Sequence, residues 1–217
     1  MGKQFAVLGL GRFGGTLVKE FAEIGIEVLA VDTDVAKVQH YAKYATHAVL
    51  ANPMDEGSMR GLGLSNMDHV FISFGDDIQA SVLTALLLKE LGVPQVWAKA
   101  HDDHHAKVLE KIGVDRVIHP EKDMAKRIAH HITSKKMVDF IELSKELSIA
   151  EVVASEKIAN KTLKELNTRG RYGCIIVAIH RGEETLVAMP DDRILEGDIL
   201  ILIGRNEDID RFDRRGV

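Results

Sequence analysis

A glycine-rich stretch near the start of the chain has the composition of a phosphate-binding turn. The segment FAVLGLGRFGGTLVKEF, Phe5 to Phe21, contains an apolar run that stops at Gly9 and an amphipathic run after Gly14. Gly9 allows a tight turn out of a strand, Gly11 lets the backbone approach a pyrophosphate, and Gly14 lets the next helix pack closely. The free N–H groups that open such a helix bind phosphate oxygens. The predicted phosphate-binding residues are Gly9, Leu10, Gly11, Arg12, Phe13 and Gly14.

A carboxylate about twenty residues beyond the turn indicates how the sugar of a nucleotide would be held. Asp32 follows the apolar run VLAV, and Thr33 and Asp34 adjoin it and are assigned to the same site. Such a carboxylate accepts hydrogen bonds from ribose hydroxyls and repels a 2′-phosphate. The expected ligand is therefore NAD(H), ATP, ADP or AMP, and not NADP(H). A glycine turn used only for tight helix packing is the alternative.

Arg12 is the unusual residue of the turn, because a dehydrogenase usually has an uncharged residue there. In NAD the pyrophosphate is capped by a neutral nucleoside, whereas ATP and ADP end in additional negative charge. A guanidinium donates two N–H groups to terminal phosphate oxygens. Arg12 therefore favours a nucleoside di- or triphosphate, although a surface arginine paired with a neighbouring acid is also possible.

The other chemically reactive side chains do not form a catalytic set. The run HDDHH at 101–105 resembles a metal cluster, but it opens a predicted helix, where Asp and His are favoured for capping. Cys174, the single cysteine, begins an apolar strand and fits a buried residue in a reducing cytoplasm. The sequence thus predicts a nucleotide site without a reaction, and a small NAD-dependent oxidoreductase is the competing interpretation.

The elements that must position these residues alternate between short apolar strands and helices up to about residue 135, which is typical of a parallel, Rossmann-like α/β sheet. Ligands of such sheets bind at the carboxyl ends of the strands, so Asn52, Gly75 and Lys99 are added to the nucleotide site. The predicted strands are Phe5–Leu8, Val28–Val31, His47–Leu50, Val70–Ser73, Gln95–Lys99 and Val117–Ile118.

The pattern changes after residue 136 to strands separated by turns, which predicts a small α+β domain over 137–217. A helix at 120–136 is the expected connector between this domain and the first, 1–135. Thr162 and Glu165 have the spacing of a capping box at the start of a short helix. The predicted strands are Ile149–Val153, Cys174–Ile179, Thr185–Met189 and Ile199–Ile203.

Charge and hydropathy exclude two classes of partner. The 217 residues carry a formal net charge of −5, which gives no electrostatic support to nucleic-acid binding. The longest apolar stretches have the length of strands, so no membrane span is expected.

Several strings together resemble one family, the cytoplasmic RCK (KTN) regulatory subunits of Ktr/Trk-type potassium uptake systems, of the KtrA and KtrC kind. These strings are FAVLGLGRFGG, VLAVDTD, DHVFISFGDDIQASVLTALLLKELGV, WAKAHDDHHAKVLEKIGVDRVIHPEKDMAKRIA and LEGDILILIG. The resemblance implies homodimers assembled into an octameric ring on the inner face of the membrane. The ring would dock on a potassium-translocating subunit of the KtrB or KtrD kind, and ATP and ADP would stabilise different ring shapes. An NAD(H)-sensing transporter regulator is the related alternative.

The resemblance also assigns roles to individual residues. Gly9, Gly11 and Arg12 would contact phosphates, with Arg12 reaching the terminal phosphate of a nucleotide in the neighbouring subunit, and Asp32 would hold the ribose. Glu121 would line a site for Mg²⁺, Ca²⁺ or Na⁺ beside ATP; the alternative is a first-turn charge that favours the helix dipole.

Many C-terminal domains of the family bind cyclic di-AMP at a dimer interface, through an apolar pair and an arginine. Ile175, Ile176 and Arg181 match these positions. Apolar strand residues are more generally core residues, so the alternative for the pair is simple packing.

Overall fold

The computed structural model describes residues 3–133, 137–144 and 146–217, apart from the side chain of His130. These residues form two compact units, Met1–Pro120 and Glu121–Val217. Each unit has its own sheet and its own core.

The first unit is built on a six-stranded parallel sheet with the strand order β3-β2-β1-β4-β5-β6. The strands are β1 (Phe5–Leu8), β2 (Val28–Asp32), β3 (His47–Leu50), β4 (His69–Ile72), β5 (Gln95–Lys99) and β6 (Arg116–Ile118). The helices are α1 (Arg12–Glu23), α2 (Val35–Tyr41), α3 (Glu56–Gly61), α4 (Ile78–Glu90) and α5 (Asp103–Ile112). This order confirms the Rossmann-like sheet, and its direction reverses between β1 and β4, where such folds bind ligands.

Both faces of this sheet are covered, as the continuous apolar strands require. Successive side chains of β1 point to opposite faces, so Ala6 and Leu8 lie in one apolar cluster and Val7 lies in another. The second cluster includes Val18 and Phe21 of α1. Packing on both faces holds the carboxyl ends of the strands, and thus the glycine turn after β1, in a fixed frame.

The second unit contains an antiparallel five-stranded sheet with the order β10-β9-β11-β8-β7. The strands are β7 (Met137–Glu142), β8 (Leu147–Val153), β9 (Ile175–Arg181), β10 (Glu184–Val187) and β11 (Ile199–Arg205). The helices are α6 (Pro120–Thr133), which begins at the last residue of the first unit, α7 (Leu163–Leu166), α8 (Thr168–Tyr172) and α9 (Asn206–Arg215). This unit confirms the predicted α+β class.

Three elements of the second unit were missed by the sequence analysis: β7, α8 and α9. The last of these is amphipathic, because Ile209 and Phe212 are buried while charged residues occupy its other positions. Its acidic first turn and basic last turn favour a helix through the helix dipole. The capping box at α7 was predicted correctly, since the Thr162 and Glu165 side chains each accept the backbone N–H of the other.

Candidate nucleotide site

The turn after β1 is fixed between the two neighbouring strands. Gly9 has a φ of +93°, which favours glycine, and its N–H donates to the Val31 carbonyl oxygen at 2.8 Å. A Cβ at Gly9 would collide with the Ser73 carbonyl oxygen at the end of β4. A Cβ at Gly14 would collide with the carbonyl oxygen of Gly9 itself. Both glycines are therefore required for the backbone of the turn to pack.

Gly11 differs from these two glycines. Its φ of −72° is accessible to any residue, and no heavy atom lies within 4 Å of the position that a Cβ would take. Neither backbone conformation nor packing requires glycine there. A side chain at residue 11 would occupy the open space at the N-terminus of α1. Phosphate oxygens bind at this place in nucleotide-binding proteins of this fold.

Asp32, the last residue of β2, is buried and holds the turn from the other side. Its Oδ2 accepts the Leu10 N–H at 2.6 Å, and its Oδ1 accepts the Asp34 N–H at 2.9 Å. Each carboxylate oxygen has capacity for a second hydrogen bond. Asp32 therefore positions the glycine turn and still has capacity to accept a hydrogen bond from a hydroxyl group, a double role that the sequence analysis did not foresee.

The N-terminus of α1 has the features of an anion-binding end. The helix has no side-chain cap and no acidic residue in its first turn. Arg12, the first helical residue, is exposed, and its guanidinium makes no hydrogen bond or ion pair with the described residues. The sequence analysis gave a surface ion pair with a neighbouring acid as the alternative role of Arg12. The residues that the structure describes show no such pair.

The remaining residues predicted from strand ends lie at the same edge of the sheet. Asn52 follows β3, and its Oδ1 accepts the Met54 N–H at 3.0 Å, which shapes the turn before α3. Gly75 follows β4 with a φ of +61°, and Lys99 is the last residue of β5. Thr33 is exposed and adjoins Asp32.

Lys37 was not predicted, yet its Nζ lies 3.6 Å from Asp32 Oδ2. It stands within the first turns of α2, the helix whose N-terminus is capped by the Asp34 side chain. The signal available in the sequence was a lysine in the first turn of the helix that follows Asp32.

The run at 101–105 caps a helix and does not assemble a metal site. Asp102 Oδ1 accepts the His105 N–H at 2.7 Å at the start of α5. Buried His105 accepts the His101 N–H at Nδ1, and burial lowers the pKa of its imidazole. Within the described ranges no group of three or more His, Cys, Asp or Glu side chains is arranged to hold a metal ion. Glu121 stands in the first turn of α6, in the second unit.

The three residues matched to a cyclic di-AMP site differ in their surroundings. Ile175 is 43% exposed, whereas Ile176 is 8% exposed and packs in the core of the second unit. Arg181 donates from Nε and Nη2 to the two carboxylate oxygens of buried Asp198, at 2.8 and 2.7 Å. Arg181 therefore stabilises the fold at this position. The neighbouring Cys174 is buried, and burial raises the pKa of its thiol to about 11, which disfavours the nucleophilic thiolate.

Comparison with known proteins identifies the family. Residues 5–120 match the TrkA-N domain and residues 147–215 match the TrkA-C domain. The Ktr system potassium uptake protein C of Bacillus subtilis (strain 168) is 52% identical over 216 residues, covering 99% of this chain and 98% of that protein. The chain belongs to the Ktr family of potassium uptake regulators. Ktr system potassium uptake protein A of the same organism is 50% identical over 216 residues, which cover 99% of this chain and 97% of that protein.

The solved structures agree with the RCK fold of this Ktr chain. A crystal structure of the GsuK RCK domain superposes with a TM-score of 0.69 at 17% identity. The match covers 99% of the Ktr chain and 47% of the solved chain, so the Ktr chain spans about half of that length. In the ranges that the structure describes, none of the helices combines the length and apolarity needed to cross a bilayer.

Proposed function

We propose that this Ktr chain is the cytoplasmic nucleotide sensor that gates a membrane potassium-translocating subunit. The observation that carries the proposal is the open N-terminus of α1 beside Gly11, with Asp32 holding the turn and exposed Arg12 standing next to it. The identity with two Ktr uptake proteins over nearly the whole chain supports the transport role. The catalytic role of an oxidoreductase has no comparable support among the residues described.

The nucleotide would span the carboxyl edge of the first sheet. Its phosphates would accept hydrogen bonds from the first N–H groups of α1, and its ribose would donate to Asp32. Thr33, Asp34, Asn52, Gly75 and Lys99 are proposed to complete the site, since they lie at the same strand ends.

The gating step rests on a difference between ATP and ADP. A ligand shifts a conformational equilibrium only by its differential affinity for the two states. We assign that difference to Arg12, which would bind the γ-phosphate of a nucleotide in the neighbouring subunit, where ADP offers no such group. Glu121 would hold Mg²⁺, Ca²⁺ or Na⁺ beside the triphosphate, because carboxylate oxygens are the ligands that hard cations prefer.

The sensor is proposed to act as a homo-octameric ring built from dimers. Exposed apolar side chains on α4 and α6 support self-association, since a soluble chain rarely leaves such helix faces uncovered. These side chains are Leu83, Leu86, Met124, Ile128 and Ile132.

Cyclic di-AMP is proposed as an inhibitor that binds at the second unit. Ile175 is exposed on β9 and is available to contact an adenine base, whereas Ile176 would act from within the core. Arg181 would have to contact the ligand while it stays paired with Asp198.

Calorimetric titration of the purified protein with ATP, ADP, NADH and cyclic di-AMP, each with and without Mg²⁺ or Ca²⁺, tests the proposal. We expect ATP and ADP to bind at micromolar concentrations, with a cation effect specific to ATP. If NADH alone binds tightly, the glycine turn serves an NAD(H) sensor, and the gating mechanism proposed above is wrong. Absence of heat with cyclic di-AMP would remove the inhibitory site without affecting the nucleotide site.

A further inference from the structure

The second unit contains a cation-lined cavity that the proposed nucleotide function does not use. The cavity is a surface pocket that is wide open to solvent, and its volume is about 540 Å³. Its lining residues are Ala159, Asn160, Lys161, Glu165, Arg171 and Arg193.

The frame of the cavity is held by backbone pairing between two segments. The Asn160 N–H donates to the Ile194 carbonyl at 2.8 Å, and the Ile194 N–H donates to the Lys161 carbonyl at 3.0 Å. The Leu163 N–H donates to the Asp192 carbonyl at 3.0 Å on the same two segments. The two segments, 160–163 and 192–194, are therefore held together before any ligand binds.

One of the cationic side chains is already oriented. Arg193 Nη1 donates to the Asn160 carbonyl oxygen at 2.7 Å, and Asn160 adopts a left-handed conformation with a φ of +65°. A guanidinium held in this way loses less conformational entropy when it binds an anion. Lys161 Nζ donates to the Lys157 carbonyl at 3.0 Å, so this ammonium also has a defined position.

The charge at the cavity is not balanced by the residues that line it. Glu165 is the single carboxylate among them, and its Oε2 accepts the Thr162 N–H at 2.7 Å. The hydrogen bonds from Thr162, and then the charges of Arg193 and Lys161, lower the pKa of Glu165. The backbone N–H of Arg171 donates to the Asn167 carbonyl at 3.0 Å, but its guanidinium makes no hydrogen bond or ion pair within the described part of the chain. Three cations and one anion thus converge on one cavity in a chain whose formal net charge is −5.

We propose that this cavity binds the phosphate group of a phosphorylated small molecule, with Arg171, Arg193 and Lys161 as its donors. Guanidinium groups match phosphate oxygens with two N–H donors each, and an ammonium adds a third charge. A phosphate dianion neutralises the excess charge that the lining leaves. This site lies entirely in the second unit and is independent of the glycine turn.

The test uses the full chain with saturating ADP, titrated with inorganic phosphate and separately with AMP. Hydrogen exchange is measured at 159–171 and, in the same experiment, at 9–15, so that a failure of the glycine-turn site is seen separately. We expect protection at 159–171, and at least an about 10-fold weaker Kd for Arg171→Gln and for Lys161→Gln, as loss of a charged hydrogen bond predicts.

The matched control is Arg169→Gln, because Arg169 is exposed on the same short helix and does not line the cavity. Its Kd is expected to equal that of the unmodified chain. Tighter binding of AMP than of phosphate would identify a nucleotide as the ligand, and equal binding would identify free phosphate; both support the site. The proposal is overturned if 159–171 gains no protection, or if Arg169→Gln weakens binding as much as Arg171→Gln.

Discussion

At the scale of single residues, the three glycines in the turn after β1 differ in how strongly the surrounding structure requires glycine. Gly9 and Gly14 are required for the turn to pack, since a Cβ at either position meets backbone. A Cβ at Gly11 meets nothing, so the packing of the described residues does not require glycine there. The sequence analysis assigned the tight turn to Gly9, helix packing to Gly14 and the approach of a pyrophosphate to Gly11, and the structure adds which backbone atoms a Cβ would meet at the first two positions.

We predict that Gly11→Ala separates binding from folding. Its free energy of unfolding should stay within about 0.5 kcal/mol of the original value, as for surface substitutions that remove no contact. Its affinity for ATP and ADP should fall, because the new methyl group occupies the phosphate position. Calorimetry and urea unfolding measure the two effects.

Gly61→Ala is the matched control. A Cβ at Gly61 would be equally free of contacts, and the residue lies at the end of α3, outside the glycine turn. It should leave nucleotide affinity unchanged. Equal nucleotide affinity in Gly11→Ala and the unmodified protein would contradict a phosphate site at this turn. Gly14→Ala is expected to lose stability and binding together.

Arg12→Ala is predicted to weaken the binding of ATP and to leave the affinity for ADP nearly unchanged. The exposed guanidinium has no partner among the described residues, so its removal should cost little stability. Loss of a hydrogen bond to a charged group is worth about 1.5–3 kcal/mol, or about 10-fold to 100-fold in the Kd for ATP. Titrations of both nucleotides into both proteins measure the difference.

Arg60→Ala controls for the loss of a positive charge, because Arg60 pairs with Glu56 on the surface of α3. Such exposed pairs contribute at most about 1 kcal/mol. If Arg12→Ala weakened the binding of ATP and of ADP equally, Arg12 would be a general phosphate ligand and the proposed sensor role would be wrong.

At the scale of elements, the sequence predicted what local signals determine. The capping box at Thr162 and Glu165 and the C-terminal glycine of α5 are local, and both are present. The strand β7 was missed because its position depends on pairing with β8, which the sequence around Met137–Glu142 does not reveal. Pairing across a sheet is a tertiary interaction that overrides local preference.

The pair of Arg181 and Asp198 ties β9 to the turn before β11 and makes the second unit sensitive to acid. Burial raises the pKa of Asp198, but the hydrogen bonds from Arg181 and from the Leu195 N–H outweigh it, so the pKa is lowered overall. A carboxyl whose pKa is lower in the folded state stabilises the fold above its unfolded pKa of about 3.9. That stability is lost as pH falls through the folded pKa.

We therefore predict that Asp198→Asn lowers the free energy of unfolding by about 2–4 kcal/mol at pH 7, because it leaves Arg181 without its anion. The loss should shrink as pH falls below about 4, the unfolded pKa, and reach its minimum below the lower folded pKa, where Asp198 of the unmodified chain is neutral as well. Urea unfolding at several pH values measures both. Asp191→Asn, at an exposed position on the loop before β11, should behave like the unmodified protein. A loss that is independent of pH would show that the charge of Asp198 is not the cause.

At the scale of the whole molecule, the exposed apolar surface of α4 is where we expect the proposed self-association to occur. The helix sequence IQASVLTALLLKE is apolar around most of its circumference, which is typical of a helix covered on more than one side. Leu88 and Ala85 are buried in the first unit, but Leu83 and Leu86 are 44% and 45% exposed. These two leucines, three positions apart, lie on one face of the helix.

We predict that the double substitution Leu83→Lys and Leu86→Lys reduces the mass below that of the proposed octamer of the 24.0 kDa chain, because each charge would have to be desolvated at the proposed interface. The fold should persist, since neither leucine belongs to the core, and far-ultraviolet circular dichroism should be unchanged. Light scattering after size exclusion measures the mass. Ile24→Lys is the control, because Ile24 is exposed just after α1 and does not belong to α4. An unchanged mass in the double variant would contradict self-association through this face of α4. A smaller mass that still binds ATP and ADP would show that nucleotide binding does not depend on the assembly.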